Sequence, residues 1–323
     1  MLIKSPNFWT EKNNIRLLMM PLSGLYFLFY KFYQKISNER VLQTPVICVG
    51  NAVIGGSGKT PICIKIREIL NKNYKNIFVL TRGYLGREKG PLIVNRKHTF
   101  KCVGDESIIH MQYGKTCMSK DRFYGGKLCN ENNCDLIIMD DGFQSKNIKK
   151  DISILVIDNN YGFGNERIFP AGPLREPSNE SINRADAIII IGEKFNKKFN
   201  FKDKIVFYAK KEIQLKKNIN KEIYAFSGLG NNLNFFNSLK KKFILKYTKS
   251  FPDHYIYKES DLEKIYTLSK EKKLSMVCTL KDFVKIPHKY KKNVNVANLK
   301  IKLENEDEFF KFLVSRLKKT RIY

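Results

Sequence analysis

The sequence predicts an α/β protein with a doubly wound parallel sheet, followed by a second, smaller α/β domain at the C-terminus. The first observation is a series of short, almost continuous apolar runs rich in β-branched residues, separated by loops or helical patterns. Such runs are typical of parallel strands that are buried on both faces. The second observation is that the first run leads through a glycine-rich turn into a helix. Ligands of such folds bind at the carboxyl ends of the strands, so we expect the site there.

The apolar runs can be followed along the chain. Strands are predicted, in order, within PVICVG (45–50), IFVLTRG (77–83), DLIIMDDG (135–142), DISILVID (151–158) and ADAIIIIG (185–192). TPICIKIREILNKN (60–73) has helical spacing of its apolar residues. Together these elements predict the doubly wound sheet.

Composition changes after about Phe207, and this change predicts the domain boundaries. The stretch from Lys194 to Glu222 is rich in Lys, Asn and Phe and predicts charged loops with one short strand. Beyond it, strands are predicted in IYAFSGLG, FILKYTKSF and MVCTLKD, and helices over about 234–241, over 259–272 and from about 306. We therefore predict an N-terminal segment (1–44), a phosphate-loop domain (45–208), a linker (209–221) and a smaller α/β domain (222–323).

The net charge of +28 leaves two interpretations open. An excess of Lys, Asn and Ile is what an AT-rich coding sequence would produce, with lysines spread over a solvated surface. The alternative is an anionic partner, either a phospholipid surface or a nucleic acid. The chain has neither zinc-finger spacing nor an RNP-type aromatic strand, so we expect no nucleic-acid partner.

The seven cysteines are an odd number without C-x-x-C spacing, and this favours reduced thiols. Cys129 and Cys134 are spaced poorly for zinc. Cys48 and Cys63 lie in apolar stretches and are predicted to be small core residues.

The N-terminal segment contains fourteen uncharged residues, LLMMPLSGLYFLFY, between Arg16 and Lys31. A membrane span needs roughly 20 apolar residues, so this stretch is too short, and no small-residue cleavage site follows it. One interpretation is a helix in the interface of an anionic membrane; the other is a helix packed on the protein's own core. The flanking cations are Lys4, Lys12, Arg16, Lys31, Lys35 and Arg40.

The glycine-rich turn predicts a phosphate-binding loop. In NAVIGGSGKT, backbone N–H groups and a helix N-terminus can surround phosphate oxygens, Lys59 adds a charge, and the Thr60 hydroxyl can reach Mg²⁺. The match to G-x-x-x-x-G-K-[ST] is imperfect because Val53 stands at the first glycine position. A phosphate-loop fold binding ATP or GTP is nevertheless predicted. The nucleotide-binding residues are predicted to be Val53, Ile54, Gly55, Gly56, Ser57, Gly58, Lys59 and Thr60.

Four further motifs carry candidate residues, each with a plainer alternative. Asp140 and Asp141 end a strand where Mg²⁺ would lie, although Asp pairs also cap turns and helices. Asp105 in GDES could simply be a helix N-cap. His254 in FPDHY could be a turn histidine. The segment PAGPLREP (170–177) could be a rigid turn.

Taken in order, these motifs resemble the tetraacyldisaccharide 4'-kinase family. The resemblance runs from PLSGLY through VGNAVIGGSGKTP, LTRGY, GDES, DDGFQ, FGNERIFPAGPLREP, AFSGLGN and FPDHY to TLKD, and so covers nearly the whole chain up to about Asp282. It implies a kinase that transfers the γ-phosphate of ATP to the 4'-hydroxyl of a tetraacyl glucosamine disaccharide 1-phosphate in lipid A biosynthesis. It also implies peripheral attachment to the cytoplasmic face of the bacterial inner membrane, and so favours the interfacial interpretation of the N-terminal segment.

The resemblance also implies roles for residues. It places the catalytic acidic residue at Asp105 and its partner histidine at His254, with Lys59 and Arg175 near the transferred phosphate. It places the metal-binding carboxylates at Asp140, Asp141 and Glu176. Together with the Thr60 hydroxyl, they make up the predicted metal site. The chain departs from the family at Ser107, Ser145, Tyr255 and Leu280, where Pro, His, His and Glu are usual, and this weakens any role of those positions in substrate contact.

Two alternatives remain at this stage. A phosphate-loop ATPase that drives partner assembly or metal delivery would turn over ATP without a sugar acceptor. A basic nucleic-acid-binding module would bind DNA or RNA in a salt-sensitive way.

Overall fold

The computed structural model describes residues 6–9, 14–192, 201, 203–215 and 219–319. Its described residues form two compact units. The larger unit contains those between 6 and 211 together with those after 300, and the smaller unit contains those between 212 and 300. Among the described residues, no helix combines the length and the apolar character that crossing a bilayer requires.

The strands alternate with helices along most of the chain, as the sequence predicts. The strands are β1 (Val46–Gly50), β2 (Ile77–Thr81), β3 (Leu92–Ile93), β4 (Thr116–Met118), β5 (Leu136–Asp140), β6 (Ile152–Asp158), β7 (Ala187–Ile191), β8 (Ile205–Gln214), β9 (Glu222–Ser227), β10 (Ile244–Ser250), β11 (Ser275–Thr279) and β12 (Val294–Leu303). The helices are α1 (Ile15–Leu18), α2 (Met20–Ile36), α3 (Lys59–Leu70), α4 (Phe100–Val103), α5 (Asp105–Tyr113), α6 (Arg122–Glu131), α7 (Ser178–Arg184), α8 (Asn232–Lys240), α9 (Glu259–Glu271), α10 (Leu280–Phe283), α11 (His288–Lys291) and α12 (Glu306–Lys319), and a 3-10 turn covers Asn7–Trp9.

The sheet of the larger unit is parallel apart from one edge strand. Its strands lie in the order β3-β4-β2-β5-β1-β6-β7-β8, and only the pairing of β3 with β4 is antiparallel. The phosphate-loop strand β1 is central and lies between β5 and β6. Its register places Val49 beside Asp140, so the acidic end of β5 meets the beginning of the phosphate loop.

Strand β1 explains why the apolar runs are continuous. Ile47 and Val49 belong to the core on one face of the sheet, whereas Val46 and Cys48 belong to the core on the other. All four side chains are almost completely buried. Because successive residues of a strand point to opposite faces, a strand covered on both faces needs apolar residues at every position.

The smaller unit contains a parallel sheet in the order β10-β9-β11-β12. Helix α8 packs on one face of this sheet, where Phe235, Phe236 and Leu239 join its core. Leu262 and Ile265 of α9 belong to a separate core cluster. Both helices were predicted within two residues of their observed ends.

The C-terminal helix differs from the predicted domain boundary. We assigned residues 222–323 to the smaller domain, but α12 packs on the core of the larger unit. Its buried face consists of Phe309, Phe312, Leu313 and Leu317, and the Phe309 ring lies 4.8 Å from that of Phe207. The helical spacing predicts this apolar face but carries no information about which sheet the face covers.

Other predictions fall partly outside the described residues. Residues 209–214 of the predicted linker continue β8, whereas 216–218 lie outside. Of the predicted charged stretch from Lys194 to Glu222, residues 194–200 and 202 also lie outside the described residues, as do Lys4 and Lys12 of the flanking cations. All seven cysteines are free thiols, and Cys48 and Cys63 are fully buried, as predicted.

Candidate active site

The phosphate loop connects β1 directly to α3. Gly55 and Gly58 have φ values of 116° and 89°, in the left-handed region that favours glycine. A Cβ atom on Gly58 would also lie 2.7 Å from Ile191 Cδ1, so a larger residue would need a shift of that side chain in addition to the strained backbone. Lys59 opens the helix, is 8% exposed, and points its Nζ toward Gly55 O at 3.5 Å. The loop is therefore formed with its lysine folded over it, as phosphate binding requires.

The first part of the loop is held by the PAGPLREP segment. Val53 forms an isolated β-bridge with Leu174, and Ile54 N donates to Pro173 O at 2.8 Å. Arg175 N donates to Ala52 O at 2.8 Å. Val53 is buried in this contact, which explains why a β-branched residue stands at the first glycine position of the motif. The backbone contacts also place Arg175 beside the loop.

A polar cluster lies at the end of β5. Asp140 Oδ2 accepts from Thr60 Oγ1 at 3.0 Å and lies 2.8 Å from His110 Nε2. Its other oxygen, Oδ1, is buried without a hydrogen-bond partner among the described residues. Because a buried carboxylate oxygen needs a donor or a cation, this atom suits a magnesium ion held with the Thr60 hydroxyl.

Asp141 is held by two cations. Arg175 makes a bidentate contact with its carboxylate, at 2.8 Å and 3.2 Å, and Lys59 Nζ lies 3.6 Å from Oδ1. Burial by itself would raise the pKa of Asp141, but Lys59 and Arg175 outweigh it and hold the pKa well below its usual range. Asp141 is thus ionised, and it keeps both positive side chains beside the loop.

Glu176 is completely buried and has a donor for each carboxylate oxygen. Oε2 accepts from Tyr30 OH and from Arg184 Nη2, both at 2.5 Å, and Oε1 accepts from Gln144 Nε2 at 2.7 Å. To bind a metal, Glu176 must exchange one of these donors. Sequence reasoning missed all three partners; only Gln144, within DDGFQ, lies in a motif that the resemblance covers.

Asp105 is the first residue of α5 rather than its N-cap. The N-cap is Gly104, whose φ is 82° and whose Cβ position would lie 2.5 Å from Tyr84 O. Asp105 is 4% exposed, and its Oδ1 accepts from Glu106 N at 2.9 Å. The motif therefore uses glycine to turn the chain and presents a buried carboxylate at the first helical position.

In the smaller unit, His254 has a lysine partner that sequence reasoning did not single out. Lys281 Nζ lies 3.0 Å from His254 Nε2 and 3.0 Å from Asp253 Oδ1. An ammonium group can only donate, so Lys281 is the donor when it is hydrogen-bonded to the ring. The neighbouring Asp282 is fully buried and accepts from Gly228 N and Thr279 Oγ1. The sequence does contain a signal for Lys281, because this residue lies in TLKD, one of the motifs that carry the family resemblance.

The four positions at which the chain departs from the family have defined places in the structure. Ser107 Oγ lies 2.6 Å from Thr81 Oγ1, and Ser145 Oγ donates to Asn147. The Tyr255 ring stacks on Phe251 with centroids 4.8 Å apart. Leu280 begins α10.

A phosphate loop that opens the helix after a central strand, with an acidic strand end beside its threonine, defines a phosphate-loop nucleotide-binding enzyme. The chain matches the family described as tetraacyldisaccharide-1-P 4'-kinase over residues 15–318. Two relatives named tetraacyldisaccharide 4'-kinase, from Rickettsia canadensis and Paramagnetospirillum magneticum, are each 35% identical to it; the alignments cover 93% of this chain and 93% and 94% of the relatives. The chain is also similar to a crystal structure from Aquifex aeolicus, the "apo" form LpxK in complex with ATP, with a TM-score of 0.78, 32% identity and coverage of 94% and 99% of the two chains.

The chain therefore belongs to the tetraacyldisaccharide-1-P 4'-kinase family. This confirms the predicted fold class and the predicted activity, an ATP-dependent phosphorylation of the 4'-hydroxyl of a tetraacyl disaccharide 1-phosphate in lipid A biosynthesis. The roles of individual residues and the membrane surface stay predictions.

Proposed function

We propose that the chain works as a peripheral enzyme at the cytoplasmic face of the bacterial inner membrane, with ATP and Mg²⁺ bound at the phosphate loop. The observation that carries the nucleotide part is the Thr60–Asp140 contact beside the loop, with Asp140 Oδ1 buried and without a hydrogen-bond partner in the part of the chain that the structure describes. Mg²⁺, when bound, would neutralise charge on the phosphates of ATP. Thr60 and Asp140 would hold it, with Asp141 and Glu176 as the further carboxylates of the predicted set.

Lys59 and Arg175 supply positive charge to the transferred phosphate. Both already face Asp141, so their side chains are positioned before a phosphate group arrives. The phosphates then replace Asp141 as the partner of one or both cations. Charge that is fixed in advance stabilises a phosphoryl-transfer transition state without reorganisation during the reaction.

Asp105 accepts the proton of the attacking sugar hydroxyl. Its carboxylate is buried, starts α5 and is oriented by its bond to Glu106 N. We assign to His254 the task of sharing or orienting that proton, because Lys281 Nζ lies 3.0 Å from its Nε2 and holds the ring. A positioned carboxylate contributes about 10²–10⁴-fold in such proton transfers.

A double-mutant cycle tests this pair. We expect Asp105→Ala and His254→Ala each to lower the single-turnover rate severely while ATP affinity changes little, and the double variant to be only slightly slower than the worse single variant. Thermal melting of each variant separates loss of chemistry from loss of folding. If Asp105→Ala is folded and has a near-wild-type single-turnover rate, Asp105 is not the base. If the rate losses of the two single variants add up in the double variant, Asp105 and His254 do not act as a pair.

The membrane part of the proposal rests on the two faces of α2. One face presents exposed apolar side chains at helical spacing: Leu22, Leu25, Leu28, Phe29, Phe32 and Ile36. The other carries Ser23, Tyr26 and Tyr30, which hydrogen-bond to the segment 168–176. The helix is thus attached to the site by its polar face. Its apolar face suits the boundary between headgroups and acyl chains, where the lipid substrate resides.

Vesicle sedimentation with matched variants tests this attachment. Leu28 and Leu233 are similarly exposed, at 67% and 71%, but only Leu28 lies on α2. We expect Leu28→Glu to weaken binding to anionic phospholipid vesicles about tenfold, from the lost burial of one leucine, and Leu233→Glu to leave it unchanged. Equal binding by both variants would contradict the interfacial role of α2. Retention on DNA or RNA at moderate salt would contradict the prediction that no nucleic acid is a partner.

A further inference from the structure

The innermost part of the phosphate-loop site contains a thiol and an imidazole next to its carboxylate. Cys63 lies in α3, four residues after Lys59, and His110 lies in α5. Ligand atoms of Cys63, His110 and Asp140 all lie within 4.8 Å of one another, and all three residues are buried. They come from three different elements, so the arrangement is a property of the fold rather than of a local motif.

Phosphoryl transfer gives no role to a thiol or an imidazole at this place. Mg²⁺ prefers oxygen ligands, which Thr60 and Asp140 already offer. The ring of His110 is completely buried, and its Nε2 lies 2.8 Å from Asp140 Oδ2. Asp140 Oδ1 is buried and has no hydrogen-bond partner among the described residues. An unsatisfied carboxylate oxygen buried beside a thiol and an imidazole calls for a bound group.

We propose that Cys63, His110 and Asp140 form a second metal site, which takes a borderline-soft divalent cation such as Zn²⁺. Thiolate, imidazole and carboxylate together are a typical three-residue zinc ligand set, with a water molecule as the fourth ligand. Ligand atoms around a tetrahedral zinc ion are separated by about 3.4 Å, so the observed cluster needs side-chain shifts of about 1 Å. On binding, the Cys63 Sγ–H bond is replaced by an Sγ–Zn bond and the proton is released to solvent.

The consequence is competition between two cations for one carboxylate. Asp140 is the shared residue, because its Oδ2 contacts both the Thr60 hydroxyl and His110 Nε2. A zinc ion bound by Cys63, His110 and Asp140 takes the carboxylate from Mg²⁺, so zinc inhibits the kinase. This inhibition rests on the proposed role of Asp140, whereas zinc binding itself does not.

Metal binding to the full-length protein tests the site directly. Co²⁺ is used as the probe because a thiolate–cobalt bond gives a charge-transfer absorption, and Zn²⁺ stoichiometry is measured on the same samples. We expect one bound ion and a thiolate band in the wild type and in the control Cys102→Ser, which removes the half-buried cysteine. Cys63→Ser, which keeps a hydroxyl donor, and Cys63→Val, which keeps the packing, should both lose the band. A missing band in the wild type, or a band that persists in both Cys63 variants, would overturn the site.

Kinase assays then test the consequence. At fixed Mg²⁺, the Zn²⁺ concentration that halves the rate should rise at least tenfold in whichever Cys63 variant retains its Mg²⁺-supported rate, and stay unchanged in Cys102→Ser. Suppose that the Cys63 variant has lost the cobalt band but is as sensitive to zinc as the wild type. Zinc at this site would then not be the cause of the inhibition, and Asp140 would not be the ligand for which the two cations compete. Binding and inhibition can thus fail separately.

Discussion

Replacing Tyr30 by phenylalanine should loosen the attachment of α2 to the catalytic segment. The Tyr30 hydroxyl donates to the fully buried carboxylate of Glu176 at 2.5 Å, and burial is the largest cause that raises the pKa of this phenol, followed by the Glu176 contact. A hydrogen bond to a charged group contributes about 1.5–3 kcal/mol to stability. Arg184 and Gln144 remain as partners of Glu176 in the variant, so we expect a loss at the lower end of this range, about 1.5 kcal/mol.

The protein provides its own probe for this contact. Trp9 is its single tryptophan, is 6% exposed, and donates from Nε1 to Pro170 O at 3.0 Å. Its fluorescence therefore reports whether the N-terminal segment is bound to the PAGPLREP segment. Urea titrations followed at this tryptophan should show Tyr30→Phe unfolding at lower urea.

Tyr33 provides the matched control, because it lies on the same helix and is 47% exposed. We expect Tyr33→Phe to change the free energy of unfolding by less than about 0.5 kcal/mol. If Tyr30→Phe and Tyr33→Phe have the same urea midpoint, the Tyr30–Glu176 bond does not stabilise the attachment and the reasoning is wrong.

Three further variants test the charges of the site. Lys59→Ala should lower the single-turnover rate at least about a hundredfold, since a preorganised charge at the phosphate is lost; a near-normal rate would remove the phosphate-loop assignment. The pKa of Asp141 is depressed in the folded protein, so the stability from its ion pairs is present above the unfolded pKa of about 3.9 and is lost as the pH falls through the folded pKa. The difference in unfolding free energy between wild type and Asp141→Asn should therefore be constant above about pH 5 and shrink below about pH 4; a difference unchanged down to pH 2 would contradict it. Lys281→Met should lower kcat about tenfold through loss of its bond to His254, with the melting temperature as the folding control, and an unchanged kcat would show that this bond does not position the imidazole.

The sequence predicts those parts of the fold that depend on local pattern. Strand β1, the start of α3 within one residue of Thr60, and the acidic end of β5 follow from apolar runs, glycines and the parallel-sheet rule. The position of α12 does not, because an amphipathic helix specifies that it has a partner but not which one. The same limit applies to α2, whose sequence allowed either a helix packed on the protein or a helix at a membrane interface. One face of α2 is hydrogen-bonded to the protein, and its other, apolar face is exposed.

The site was predictable where a motif carries the chemistry in neighbouring residues. Thr60 and Asp140 were expected to lie close together, and their side chains are 3.0 Å apart. The donors to Glu176 come from positions 30, 144 and 184, and no spacing rule connects them. His110 is likewise four residues beyond GDE, in a stretch whose pattern indicates only a helix.

Transfer of label from γ-labelled ATP to a tetraacyl disaccharide 1-phosphate, with Mg²⁺ present, tests the central claim most directly. The account predicts a labelled lipid whose new phosphate is at the 4' position, and no labelled lipid with Lys59→Ala. Release of labelled inorganic phosphate at the same rate with and without the lipid, and no labelled lipid, would contradict the account and favour a phosphate-loop ATPase.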